Sequence, residues 1–182
     1  MTLLDDWEAR WAPYDEPTYL AALNFVKPND IVLDIGAGDL RLSIQMATIA
    51  RQVYAIERQP ELLNRSGALP SNLVVICADA RQIPWPVGVT VGVLLMRHCT
   101  HVAEYVRKLR ALGCQRLITN ARWGMDVEQM DLGPRIPWEQ MKTGWYACTC
   151  GQTGYIEGPA EQLTEAHIWH VTEVENCPAC IT

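Results

Sequence analysis

The stretch Ile31-Val32-Leu33-Asp34-Ile35-Gly36-Ala37-Gly38-Asp39-Leu40 decides how this chain is built. Its first half is a short apolar run suited to a buried parallel strand. It ends in a carboxylate and a Gly-x-Gly turn. A helix then begins near Leu40, with Leu42, Met46 and Ile49 at i, i+4 and i+7. Strand, tight turn and helix make the first unit of an alternation that the flanking sequence continues. Upstream, residues 16–26 read as a helix with Asp15 near its start and Pro17 in the first turn, and Lys27-Pro28-Asn29-Asp30 breaks it. Downstream come a strand over 52–57, a helix over 60–67, a strand over 73–78 and a glycine-containing strand over 87–96. Thr100 to Leu112 is the clearest helix, with Val102, Tyr105, Val106 and Leu109 on one stripe and Gly113 as its stop. A fifth strand follows over 114–121. Five strands with helical crossovers predict an open α/β fold, a doubly wound and mostly parallel sheet. One crossover is thin: residues 79–87 leave room only for a turn around Pro84-Trp85-Pro86.

The 182 residues are 49% hydrophobic and 20% charged, enough for a real core and against disorder over most of the chain. A formal charge of −6 excludes a generally basic, phosphate-gripping surface. Residues 145–182 hold five Glu and no Lys or Arg, so the last part of the chain is the acidic part. No run approaches the roughly 18 apolar residues of a membrane span. The start, M-T-L-L-D-D-W-E, carries acids where a secretory signal carries a basic region. The expectation is therefore a cytoplasmic protein, not tied to membrane, whose seven cysteines are normally reduced. Its organisation is expected to be an α/β domain over 1–143 with an N-terminal helical arm, followed by a cysteine-bearing segment over 144–182. Residues 123–143 offer no clear element. Short strands are expected at 145–146, 155–156 and 168–174.

Ligands of doubly wound sheets bind at the carboxyl ends of the strands, near the switch point beside the first strand. Gly36 and Gly38 let backbone approach a ligand there, and the next helix presents free N–H groups. Such a turn fits NAD, FAD and S-adenosylmethionine alike. Three acids at successive strand ends narrow the choice. Glu57, 21 residues after Gly36, suits two ribose hydroxyls. Asp79 suits an adenine amino group, and Asp34 suits the amino group of a methionine moiety rather than a pyrophosphate. A dinucleotide site wants a third glycine where Arg41 stands.

On these residues the chain resembles the class I S-adenosylmethionine-dependent methyltransferases. V-L-D-I-G-A-G-D-L (32–40) looks like their first motif, A-I-E-R (55–58) like their second-strand acid and C-A-D-A (77–80) like their third-strand acid. The likeness covers roughly residues 16–122 and departs at Leu40, where many members have a third glycine. It implies a Rossmann-like methyltransferase fold and a methyl-donor site made by Asp34, Gly36, Ala37, Gly38, Glu57, Arg58, Asp79, Ala80 and Met96. It also places methyl transfer near M-R-H-C-T-H (96–101). His98 or His101 is a candidate general base there, since imidazole titrates near neutrality. The plainer alternative has Thr100 capping the next helix with both histidines in its first turn. The N/D-P-P-Y/F box common in enzymes that methylate nucleobase amines is missing. Asn120 and Arg122 are expected on the acceptor side, and Trp7, Trp11 and Tyr14 are expected to lid the pocket or pack on the core. The acceptor itself, small molecule, protein or RNA, is left open. A rival reading is a non-catalytic donor-binding module that docks a partner protein.

Cys148-Thr149-Cys150-Gly151 and Cys177-Pro178-Ala179-Cys180 complete the pattern. Thiolates are soft ligands for tetrahedral zinc, and two close pairs supply all four positions. The pairs resemble the knuckles of a zinc ribbon, with C-x-C replacing the usual first C-x-x-C. Four protein ligands make a structural zinc, not a catalytic one. The ribbon is expected to stand where the family has its last antiparallel strands. Its acidity turns away phosphates, so tight general nucleic-acid binding is not expected and a basic protein partner is the better match. Any nucleic acid would have to meet the basic side chains of residues 97–142.

Overall fold

Strand β1 (Ile31–Ile35) is buried from Val32 onward on both its faces, as a parallel strand covered on both sides requires. The computed structural model describes residues 11–64, 67–123 and 126–180. Around β1 stand β2 (Gln52–Glu57), β3 (Leu73–Cys77), β4 (Val91–Leu94), β5 (Arg116–Thr119) and β6 (Glu128–Asp131), in the order β3-β2-β1-β4-β5-β6. All pairings are parallel except β5 with β6. The order reverses between β1 and β4, which is the switch point where such sheets bind ligands. Helices α1 (Glu16–Leu23) and α2 (Arg41–Ala47) close one face with Ala22, Leu42 and Met46 over Val32, Val53 and Ile118. Helix α3 (Val102–Ala111) closes the other with Val102, Tyr105, Val106 and Leu109 over Leu33, Ile35 and Leu117. The doubly wound expectation therefore holds.

The elements are shorter than their patterns suggest. The helix expected over 60–67 is a 3-10 turn at Pro60–Leu63. Strands expected over 87–96 and 114–121 keep ladder pairing only at 91–94 and 116–119. Thr100 does not cap α3: the N-cap position is His101, with no side-chain cap. The crossover between β3 and β4 has no helix. Buried Trp85 donates from Nε1 to the Ala80 carbonyl at 2.8 Å. The Lys108 ammonium donates to the carbonyls of Ala80, Arg81 and Ile83 at 2.6, 3.0 and 3.1 Å, and lies 4.5 Å from the Trp85 ring centre. One cation thus satisfies carbonyls that a helix would have satisfied internally.

The antiparallel edge of the main sheet corrects one expectation. It is supplied by β6, from the stretch without a clear pattern, and not by the cysteine segment. That segment builds a separate sheet from β8 (Gly144–Cys148), β9 (Thr153–Ile156) and β10 (Val171–Glu175), joined by β7 (Ile136–Pro137) from the preceding stretch, in the order β7-β10-β8-β9. The strand expected over 168–174 begins late, because Glu165–Trp169 forms helix α4 behind a Thr164–His167 capping box.

Three contacts join the two sheets. The Arg122 side chain, 1% exposed, donates to both carboxylate oxygens of Glu128 on β6 and of Glu173 on β10. Arg110 on α3 bridges the Leu132 and Gly133 carbonyls to Glu175. Gly151, after the first cysteine pair, packs on Val102 so closely that an added Cβ would sit 3.3 Å from the valine Cβ.

Candidate functional site

The glycine turn is built by hydrogen bonds at the carboxyl ends of β1 and β2. The N–H groups of Gly36 and Ala37 both donate to the Ile56 carbonyl, at 2.9 and 3.0 Å. Gly36 has φ +72°, and a Cβ there would fall 2.8 Å from Met96 Cε; at Gly38 it would run into the Trp11 indole. Both positions need the missing side chain. The third glycine of the family pattern is replaced by Leu40, and Leu40 indeed sits in left-handed backbone at φ +66°. It is almost fully buried, so core packing compensates a conformation that glycine adopts without strain.

The three strand-end acids converge on one cavity of about 410 Å³. Buried Glu57 accepts from Gly38 N at 2.8 Å through one oxygen and from Gln59 N at 2.8 Å through the other. Each oxygen keeps lone-pair capacity for a further donor. Asp34 is buried and accepts from Ser43 Oγ at 2.5 Å. Burial pushes its carboxyl up to about 7, with the Ser43 hydrogen bond opposing and the charge of Glu57 adding. Asp79 is held below the usual carboxylate range, first by the Arg81 side chain, which grips both its oxygens at 2.8–3.1 Å.

The walls include Asp34, Gly36, Ala37, Glu57, Arg58, Asp79, Ala80 and Met96, as expected. Gly38 is not on the wall; it contributes by engaging Glu57. His98 lines the cavity from φ +62° at the end of β4, while His101 stands outside it at the start of α3. Trp11 and Tyr14 line the cavity too, with Tyr14 Oη accepting from Arg97 N at 2.9 Å. Trp7 lies outside the described residues. Arg122 is not an acceptor-side group, since both flanks of its guanidinium are taken by Glu128 and Glu173. Sequence reading missed Ser43 and Arg81. Ser43 had a signal: nine residues from Asp34, it is the polar member of the buried α2 face Leu42, Ser43, Met46, Ala47.

In the second sheet, the sulfurs of Cys148, Cys150, Cys177 and Cys180 all lie within 4.8 Å of one another. The 148–180, 150–177 and 177–180 separations are 3.6, 3.6 and 3.9 Å. Tetrahedral zinc–sulfur bonds of about 2.3 Å place sulfurs about 3.8 Å apart, so the four thiols fit one such ion. None forms a disulfide. Crowding splits their acidities. The Cys150 side chain stabilises the Cys148 thiolate, bringing that thiol down to about 4, and burial first of all pushes Cys180 up to about 11. A dication would oppose what raises Cys150, first its hydrogen bond with Cys148, and what raises Cys180, first its burial.

A methyltransferase-domain family matches residues 33–116, the span from β1 to the start of β5. The parallel part of the main sheet is thus similar to a methyltransferase domain. A probable ribosomal RNA small subunit methyltransferase A of Pyrobaculum aerophilum is 39% identical to it over 56 residues, 30% of this chain and 25% of that protein. The chain thus matches about a quarter of the length of this curated relative. Among solved structures, a precorrin 8w decarboxylase from Methanobacterium thermoautotrophicum is 24% identical with TM-score 0.49, covering 61% of this chain and 65% of the other. An RNA methyltransferase from Salinibacter ruber, in complex with S-adenosyl-L-homocysteine, is 18% identical with TM-score 0.49, covering 59% and 76%. Among the described residues no helix is long and apolar enough to cross a membrane.

Proposed function

We propose that the chain binds S-adenosylmethionine in the 410 Å³ cavity and catalyses methyl transfer to an acceptor entering past the end of β4. The observation that carries the reading is the convergence of Asp34, Glu57 and Asp79 on one cavity beside a glycine turn in which added Cβ atoms would clash. Glu57 would hold the ribose hydroxyls, Asp34 the methionine ammonium and Asp79 the adenine amino group. The donor supplies an electrophilic methyl on a sulfonium. The residues of this chain then position the acceptor, exclude water through Trp11 and Tyr14, and take up a proton at His98.

Zinc held by the four thiols is part of the same reading and is structural, since four protein ligands leave no open position. That Cys148, Cys150, Cys177 and Cys180 form no disulfide suits a reducing cytoplasm. No tight nucleic-acid grip is proposed. Lys108, Arg110, Arg116, Arg122 and Arg135 of the basic stretch are each engaged by carbonyls or carboxylates of the chain itself. The acidic outer side, with Glu157, Glu161 and Glu165 exposed, suits a basic protein surface instead.

Calorimetry with S-adenosylmethionine, S-adenosylhomocysteine and NAD tests the reading. Binding of the first two and not the third is expected. Absence of donor and product binding would overturn it.

A further inference from the structure

The end of the second sheet where β9 closes and β10 opens carries an apolar row that faces water. Val171 stands opposite Trp145, and Trp145 opposite Tyr155, so the three side chains share one face of the sheet. The Trp145 and Tyr155 rings meet edge to face with centres 5.1 Å apart. Val171 is 45% exposed and Trp145 41%, with Tyr155 half-buried. Two residues along the same face, Glu173 takes the Arg122 guanidinium and Ala147 is fully buried. One face is thus covered in its second row and open in its first. Helix α4 packs against the start of β8, where an added Cβ on Gly144 would lie 3.3–3.5 Å from His167. It leaves Ile168 exposed and Trp169 78% exposed at the same end.

Aromatic and aliphatic side chains gathered in water at one spot lose that exposure when a partner docks. The charge around them says which partner. The connection from β9 to β10 carries Glu157, Glu161 and Glu165, all exposed, while Glu173 and Glu175 are held by Arg122 and Arg110. Glu157 follows Tyr155 by two residues, and Glu165 opens α4. Residues 145–182 contain no Lys or Arg, and exposed Lys142 offsets only one of the three acids. RNA and anionic lipid are therefore repelled. A second copy seated face to face would set acid against acid, because a symmetric contact repeats the same patch. Resting on the acidic-side reading above, we propose that this face docks a segment of a different protein in which apolar side chains are interspersed with Lys and Arg. The apolar side chains cover Trp145 and Val171. The cations meet Glu157, Glu161 and Glu165 and the face of the Trp169 ring.

The test titrates a fluorescent peptide of Lys, Arg and Leu, with its Leu on one side of an amphipathic helix, with the full chain and follows anisotropy. The peptide should bind, and should lose about tenfold or more in affinity when its Leu become Ser or its Lys and Arg become Glu. Trp169→Ser should weaken binding by about tenfold and keep the melting temperature within about 2 °C, since that side chain lies mostly in water. Val171→Lys should nearly abolish binding. Glu157→Gln, Glu161→Gln and Glu165→Gln together should weaken it and flatten its salt dependence. If the Ser peptide binds as tightly as the Leu peptide, or if Trp169→Ser binds like wild type, the apolar docking face is overturned while the acidic-side reading stands. If neither basic peptide binds, both fall. Tighter binding of oligouridylate or phosphatidylserine vesicles overturns the proposal too, as does a dimer in sedimentation that Trp169→Ser dissolves.

Discussion

Arg81 Nη1 and His101 Nε2 lie 2.8 Å apart, and the rest of the same guanidinium grips Asp79. Guanidinium can only donate, so Nε2 of His101 accepts and its ring proton resides on Nδ1, 4.0 Å from Glu104. The imidazole is therefore the far end of a chain that begins at the β3 carboxylate. His98, on the cavity wall, has the better position for proton transfer. His98→Ala should lower kcat by about 10²–10⁴ with donor affinity retained. His101→Ala should change kcat by less than about tenfold and act mainly on donor affinity, through Asp79. Steady-state kinetics with parallel calorimetry checks both, and the reverse pattern would exchange the two roles.

Glu57→Ala removes charge-assisted bonds to ribose and should cost about 1.5–3 kcal/mol of donor affinity, on the order of 10–100-fold in Kd. Gly38 N loses its partner in the same variant, so a small fall in melting temperature should accompany it. Calorimetry that finds Kd unchanged removes Glu57 from the donor site.

Asp34 gives a pH signature. Its folded carboxyl titrates at about 7 against an ordinary 3.8, so the folded state holds the proton more tightly than the unfolded one. The unliganded protein should therefore lose stability as pH rises from about 4 to about 7. Asp34→Asn removes that loss: it should melt several degrees above wild type at pH 8 and close to it at pH 4. Donor affinity of the wild type should fall below pH 7, as the carboxylate that meets the ammonium is protonated. Melting curves across pH, with and without donor, read both effects.

Arg122 offers a stability test remote from the cavity. Arg122→Met leaves the partly exposed carboxylates of Glu128 and Glu173 facing each other without their shared donor, a loss of about 1–3 kcal/mol. The melting temperature should fall by roughly 5 °C. Changing both acids to Gln in the same chain should restore most of it, which separates charge from packing.

Metal analysis should return one zinc per chain. Cobalt(II) in its place should give the intense charge-transfer absorption of a tetrahedral thiolate site, and any single Cys→Ser at 148, 150, 177 or 180 should reduce it. Chelation should speed hydrogen exchange over residues 144–180 and spare β1 to β5, because the core cluster of the small sheet is small, with Cys148, Val174 and Cys177 its buried members among the described residues. A metal-free protein with unchanged exchange would refute this.

The parts legible in the sequence were those written locally. The apolar run of β1, the glycines after it and the acids ending β2 and β3 each announce themselves within ten residues. Strand β6 does not: in Glu128-Gln129-Met130-Asp131 only Met130 is buried, so an edge strand carries almost no apolar pattern. The fate of Arg122 was equally hidden, since Glu173 is 51 residues away and only the fold brings it near. Positive φ at Leu40 has no signature in the residue itself, because a bulky side chain disfavours such backbone, whereas His98 is of a type that adopts it more readily.

The packing of Gly151 on Val102 ties the history of the two sheets together. Gly151 has φ +101°, and any larger residue there would press on the first residue of α3, directly behind the loop that bears His98 and His101. A larger residue at this point of the cysteine knuckle would be felt at the start of α3 as well as beside Cys150. The shape of the cysteine knuckle is thus limited by the start of α3 on which it rests.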